Sequence, residues 1–149
     1  MYTPQAKSRG VTLMELMVTV TVIGLLSAIA IPQYQQHVAK GRRVDTGTVL
    51  SSAALFMQQV QETNNGSYQV NNAAPALPVA LTTSPPNAMG TSVVYNIAVT
   101  TPTPNTFLLT ATPRSGGAMG SDACGNLTLD QRGRKAVTGT GKTVQDCWK

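Results

Sequence analysis

Charged side chains are scarce in this chain: Asp, Glu, Lys and Arg together make up 11% of its 149 residues. Aromatics are scarcer, at 5%, with one Trp and two Phe. There is one histidine, His37, and there are two cysteines, Cys124 and Cys147. Each shortage narrows the possibilities. A net charge of +5, two units of which are Lys7 and Arg9 in the first ten residues, does not by itself imply a nucleic-acid partner. His37 has no Ser or Cys nucleophile motif around it and reads as a solvated or interfacial helix position. Neither cysteine sits in a CxxC or Cys/His metal spacing. Asp122, Asp130 and Asp146 are too scattered for a calcium loop. No metal, no cofactor and no enzymatic activity are expected.

What is present is Thr, Ala, Gly, Asn and Pro in quantity. That mix suits one small, turn-rich, strand-bearing domain outside the cytoplasm, with room for a targeting segment. In such a compartment Cys124 and Cys147 read as one structural disulfide, with two buried thiols or a redox pair as the alternatives.

The one long apolar run is Val11 to Ile31, VTLMELMVTVTVIGLLSAIAI, which follows a polar, basic start and contains a single charge, Glu15. As a helix it would be roughly 30 Å long, enough to span a bilayer core. A secretory signal would show the same three parts, ending at Ala28-Ile29-Ala30, but Glu15 interrupts its apolar region. A plain anchor meets the same objection, because an acid at that depth costs about 3 kcal/mol and this helix offers no Lys or Arg partner. Cleavage between Gly10 and Val11 gives the acid a role. It creates an α-amine at Val11, one helical turn from Glu15, and in a helical array the carboxylate of one subunit can meet the amine of the next. In low dielectric that pairing is strong and register-specific.

Gly10-Val11-Thr12-Leu13-Met14-Glu15 resembles the cleavage motif of type IV prepilins, with Val11 where the family usually carries Phe. Pro32 stands where that family has a proline late in its hydrophobic helix. The resemblance implies a cleaved leader over 1–10, N-methylation of Val11, an assembly role for Glu15, and a transmembrane and assembly half-helix over 11–32. It also implies a periplasmic or extracellular globular domain over 33–149. Lys7 and Arg9 favour a cytoplasmic leader, yet Lys40, Arg42 and Arg43 lie beyond the other end, so charge bias does not settle orientation. The resemblance does: precursor in the inner membrane with its C-terminal domain in the periplasm, then the extracellular pilus. Its implied partners are other pilin subunits, a prepilin peptidase and the inner-membrane assembly machinery.

Past Pro32 the helix is expected to continue to about Glu62, with Val49, Ala53, Phe56, Met57 and Val60 on one face. Gly24 and Pro32 are its weak points, where a bend or local melting is expected. By resemblance, Gly24 to Pro32 is the stretch that loses helical order in an assembled fibre. Asn64-Asn65-Gly66 supplies turn chemistry. Asn72 to Gly90 reads as an irregular loop. Val93 to Val99, Thr106 to Thr112 and Asn126 to Asp130 read as strands of an antiparallel sheet, with Thr101-Pro102-Thr103-Pro104 and Ser115-Gly116-Gly117 as loops. The expected fold is therefore α+β, a long N-terminal helix on an antiparallel sheet.

Two features of the C-terminal third carry chemistry. Ala136-Val137-Thr138-Gly139-Thr140-Gly141-Lys142-Thr143 imitates a phosphate-binding loop, but Val144 to Lys149 is too short for the helix such a loop must open, so a glycine-rich surface loop is the better reading. Arg132, Arg134, Lys135 and Lys142 form a basic cluster, either a solvated face or a salt-sensitive DNA contact. Cys124-Gly125-Asn126-Leu127-Thr128-Leu129 and Asp146-Cys147-Trp148 resemble the PilE- and ComP-type minor pilins, which carry a bridged C-terminal loop and include a DNA-receptor branch. The expected function is a structural subunit of a type IV pilus, a minor pilin. A DNA-uptake pilin and a secretion-system pseudopilin are the alternatives.

Overall fold

The computed structural model describes residues 10–148, so all of the expected leader 1–10 except Gly10 lies outside the described residues. Two compact units divide between His37 and Val38, five residues beyond the expected boundary at Pro32.

Helix α1, Leu13–Thr63, contributes to both units. In the first unit its side chains are exposed nearly all round, with Leu13 77% and Leu25 66% accessible. The helix is unbroken through Gly24 and Pro32, so the expected local melting is not present in the single chain. Pro32 removes one backbone donor, and the flanking turns keep the helix going. Thr19 and Thr21 donate their hydroxyls to the carbonyls of Leu16 and Met17, 2.8 Å each, so neither asks the surroundings for a partner. The helix ends because Asn65 and Gly66 take positive φ, 52° and 83°, and the Gly66 N–H turns back 2.9 Å onto the Gln61 carbonyl.

In the second unit α1 buries Thr46, Val49, Leu50, Ala53 and Met57, one stripe at helical spacing. Of the expected face, Phe56 and Val60 are half-buried, and Leu50 lies deeper than either. The stripe packs in one core with a five-stranded antiparallel meander in the order β1 (Thr83–Ser84), β2 (Tyr95–Thr103), β3 (Thr106–Pro113), β4 (Leu127–Asp130), β5 (Lys135–Val137). Alternation does the sorting. Tyr95 and Ile97 on β2, Phe107, Leu109 and Ala111 on β3, and Leu127 and Leu129 on β4 all point into the core. Registers Ile97↔Ala111 and Leu109↔Leu129 place them opposite one another. Tyr68 adds an edge-to-face contact on Phe107, centroids 4.9 Å apart.

Three expectations change. The stretch Asn72 to Gly90 is not wholly irregular: it holds a 3₁₀ turn, Val79–Leu81, and the edge strand β1. Thr101-Pro102-Thr103 is not loop but the end of β2, because a register shift between Thr100 and Thr103 accommodates the proline. Strand β5 and a short helix α2, Val144–Cys147, were not expected.

Two cross-links close the domain. Cys124 and Cys147 form a disulfide, both fully buried. Arg43 on α1 donates to both carboxylate oxygens of Asp122, 2.9 and 2.5 Å, and the Tyr95 hydroxyl donates to the same carboxylate at 3.1 Å. Burial, and then the Asp122 charge, push the Tyr95 phenol up. Burial alone would raise Asp122, but the Arg43 guanidinium overrides it and holds the carboxyl below its ordinary value. A depressed carboxyl contributes stability above the unfolded value of about 4 and loses it as pH falls through the lower folded value. Thermal unfolding of the full chain in detergent should therefore weaken below about pH 4. Asp122→Asn should cost on the order of 3 kcal/mol at neutral pH, by leaving Arg43 unpaired, and should flatten that acid limb. An unchanged acid limb in the variant would place the titration elsewhere.

Candidate functional site

The N-terminal site lies on the first turn of α1. Gly10, Val11 and Thr12 precede the helix and are exposed. The Glu15 backbone N–H donates to Thr12 Oγ1 at 3.2 Å, and the Leu16 N–H to the Thr12 carbonyl at 3.2 Å, so Thr12 is the N-cap. Sequence reasoning missed this cap, although Thr12-x-x-Glu15 has capping-box spacing. The cap fixes the turn that joins Val11 to Glu15 and leaves the Glu15 side chain exposed. The acid also sits at the favourable end of the helix dipole.

The second site is the basic cluster, which the structure divides by role. Arg132 and Arg134 lie in the β4–β5 connection. One oxygen of Asp130 accepts both of their backbone N–H groups at 2.9 Å, and the other accepts the Arg134 Nε at 2.5 Å. Slight desolvation would raise Asp130, but these donors hold it below its ordinary value. Arg134 is thus tied to its own strand end. Lys135 opens β5 with its ammonium 5.0 Å from the centroid of the Trp148 ring. The indole N–H of Trp148 donates to the Ala136 carbonyl at 3.2 Å, tying the ring to β5. Lys142 is exposed on the loop between β5 and α2. Among the described residues, the ion pair of the cluster is that of Arg134 with Asp130, and Arg132, Lys135 and Lys142 are exposed. Trp148 is the site residue that sequence reasoning underused: its place beside the basic strand depends on the disulfide next to it.

The loop that imitates a phosphate-binding motif has a different explanation. Gly139 passes so close to Ala123 and Cys124 that a β-carbon there would collide with their backbone, and its N–H donates to the Cys124 carbonyl at 2.9 Å. Thr143 caps the four-residue α2 reciprocally with Asp146, as a capping box. The glycines and the threonine serve the disulfide loop.

A long capped apolar helix on an antiparallel meander, with a bridged C-terminal loop, defines the type IV pilin class. The N-terminal stretch 5–31 matches the prokaryotic N-terminal methylation motif. Residues 32–128 match the family described as "Type IV minor pilin ComP, DNA uptake sequence receptor", and the chain belongs to that family. Among curated relatives, fimbrial protein EcpB of Eikenella corrodens is 53% identical over 36 residues, 24% of this chain and 23% of EcpB. The type IV major pilin PilE1 of Neisseria gonorrhoeae is 28% identical over 73% of this chain and 54% of PilE1. The chain thus spans about a quarter of the first of these relatives and about half of the second. The solved structure of the non-core minor pilin PilV from Neisseria meningitidis shares the fold, with a TM-score of 0.51 and 19% identity, covering 73% of this chain and 95% of PilV.

Proposed function

We propose that this chain is a minor structural subunit of a type IV pilus, incorporated through its N-terminal helix. The carrying observation is the uncovered apolar helix of the first unit, whose one charge, Glu15, stands one capped turn from Val11. Such a surface needs either lipid or like helices around it. Its length and composition suffice to cross a membrane. In this reading a prepilin peptidase cuts between Gly10 and Val11, and the new Val11 amine is N-methylated. The precursor waits in the inner membrane with its globular unit in the periplasm. The assembly machinery then transfers it into the fibre, where Glu15 meets the Val11 ammonium of a neighbouring subunit. In the packed fibre the helix loses order between Gly24 and Pro32. Mass spectrometry of the mature chain tests the first step. Cleavage gives a first residue of N-methylated Val11, whereas a chain beginning at Ile31 or Met1 overturns the reading.

The family description and the exposed cations support a second property, duplex DNA contact. Arg132, Lys135 and Lys142 would pair with phosphates, while Arg134 stays with Asp130. Three phosphate contacts predict a log–log salt slope of between about −2 and −3. Titration of the detergent-solubilised chain with duplex DNA should give that slope, reduced by about 1 for Lys142→Ala. No binding at low salt removes the property.

A further inference from the structure

Among the described residues two arginines pair with aspartates, and the two pairs are built differently. Arg43 gives Asp122 both its Nε and an Nη, and its side chain is 14% exposed, so that guanidinium is spent inside the domain. Arg134 gives Asp130 its Nε, and its side chain is 72% exposed beside an aspartate side chain of 12%. With Nε engaged, the Nη1–Nη2 end of the guanidinium is the part turned to solvent.

The turn fixes where that end stands. Between β4 and β5 the Asp130 carbonyl accepts the Gly133 N–H at 2.9 Å, Gly133 takes a φ of 72°, and the Asp130 N–H donates to the Arg134 carbonyl at 3.2 Å. Oδ1 of Asp130 also accepts the backbone N–H groups of Arg132 and Arg134. One side chain therefore holds both the tip of the hairpin and the guanidinium that leaves it. Arg132 and Lys135, the flanking cations in sequence, are exposed as well.

A guanidinium held in this way suits one kind of DNA contact and not the other. Phosphate binding rewards net charge through counterion release. The Asp130 charge cancels much of that gain at Arg134 and repels a phosphate beside it. A base edge rewards direction instead: guanine presents O6 and N7 in the major groove as paired acceptors for a planar fork. Fixing the fork before contact reduces the entropy lost on binding. The major groove also admits a two-stranded β-ribbon, which the β4–β5 hairpin is. We infer that Arg134, oriented by Asp130, reads a guanine edge from the hairpin tip while Arg132, Lys135 and Lys142 hold phosphates. Asp130 is the positioning residue and Arg134 the specificity-determining one. This rests on the duplex contact proposed above and adds a base preference to it.

The test uses full-length chain in detergent and a randomised duplex library. The selected duplex is then titrated beside copies in which single guanines are replaced by deazaguanine, which lacks N7. The wild-type chain should select a fixed guanine and lose about tenfold in affinity when that base is replaced. Arg134→Lys keeps the charge without the fork and should abolish the discrimination. Asp130→Asn keeps an oxygen for the two backbone N–H groups, so the turn remains, but it releases Arg134. That variant should lose the discrimination while its salt slope steepens by about 1, as the freed cation takes a phosphate. A purely structural part for Asp130 would weaken binding to every duplex alike and leave the discrimination intact. The Cys124–Cys147 disulfide should form in both variants. Duplex binding without a base preference, or full discrimination kept in either variant, would overturn the guanine reader and leave the phosphate contacts standing. No binding of any duplex at low salt would instead overturn the DNA contact itself, and the reader with it.

Discussion

Glu15→Ala should remove the chain from fibres at least a hundredfold while leaving it more comfortable in the membrane. The two effects have opposite signs because the acid plays opposite parts in the two settings. In a bilayer an unpaired carboxylate costs up to about 3 kcal/mol at the centre of a helix and less near its end, and alanine relieves that cost. In a fibre the same carboxylate is proposed to face an ammonium within apolar helices, where a hundredfold loss corresponds to about 2.7 kcal/mol. The helix start does not depend on the side chain, since the Thr12 cap is made to the Glu15 backbone N–H. Circular dichroism and disulfide content should therefore stay unchanged. Glu15→Gln sharpens the test: it keeps size and hydrogen bonding and removes only charge. Fibre incorporation of Glu15→Gln at the wild-type level would dismiss the ion pair and leave Glu15 as a helix-terminus acid.

The readable parts of this chain were those governed by local pattern. An apolar run with one acid, a 3.6-residue stripe and two alternating strands each carry their signal within a few residues, and α1, β2, β3 and β4 appear where that signal lies. Strand β1 has two residues and β5 has three, too few for alternation to register. Both are strands because a neighbour supplies the hydrogen bonds. Pro102 reads as a breaker until the register shift that houses it is seen. The Arg43–Asp122 pair joins positions 79 apart, and no spacing rule reaches that far. The basic cluster was legible as composition but not as electrostatics: only the fold shows that Asp130 holds Arg134 while Trp148 underlies Lys135. The disulfide was legible from the expected compartment and the lack of any metal spacing, and its consequence, the placement of Trp148, was not.

That placement makes Gly139 the most consequential glycine of the C-terminal loop. Gly139→Ala should prevent the native closure of the 124–147 loop, because the added methyl group occupies the space of the Ala123 carbonyl and the Cys124 backbone. Backbone does not move aside as a flexible side chain can, so the strain falls on the turn that presents Cys124 to Cys147. The cost combines overpacking with a compromised disulfide, the latter worth roughly 3 kcal/mol for a loop of this size. A total on the order of 4 kcal/mol would lower the thermal midpoint of the full chain in detergent by roughly 15 °C. Gly133→Ala is the control. It has positive φ, 72°, but open space around it, so it should cost only about 1 kcal/mol from backbone strain. Alkylation under denaturing conditions should then find free thiols in the first variant and none in the second. Trp148 fluorescence should report loss of the Gly47 contact in the first alone. Equal midpoints for the two variants would mean that the loop accommodates the methyl group and that the close approach at Gly139 is not what holds the bridge in place.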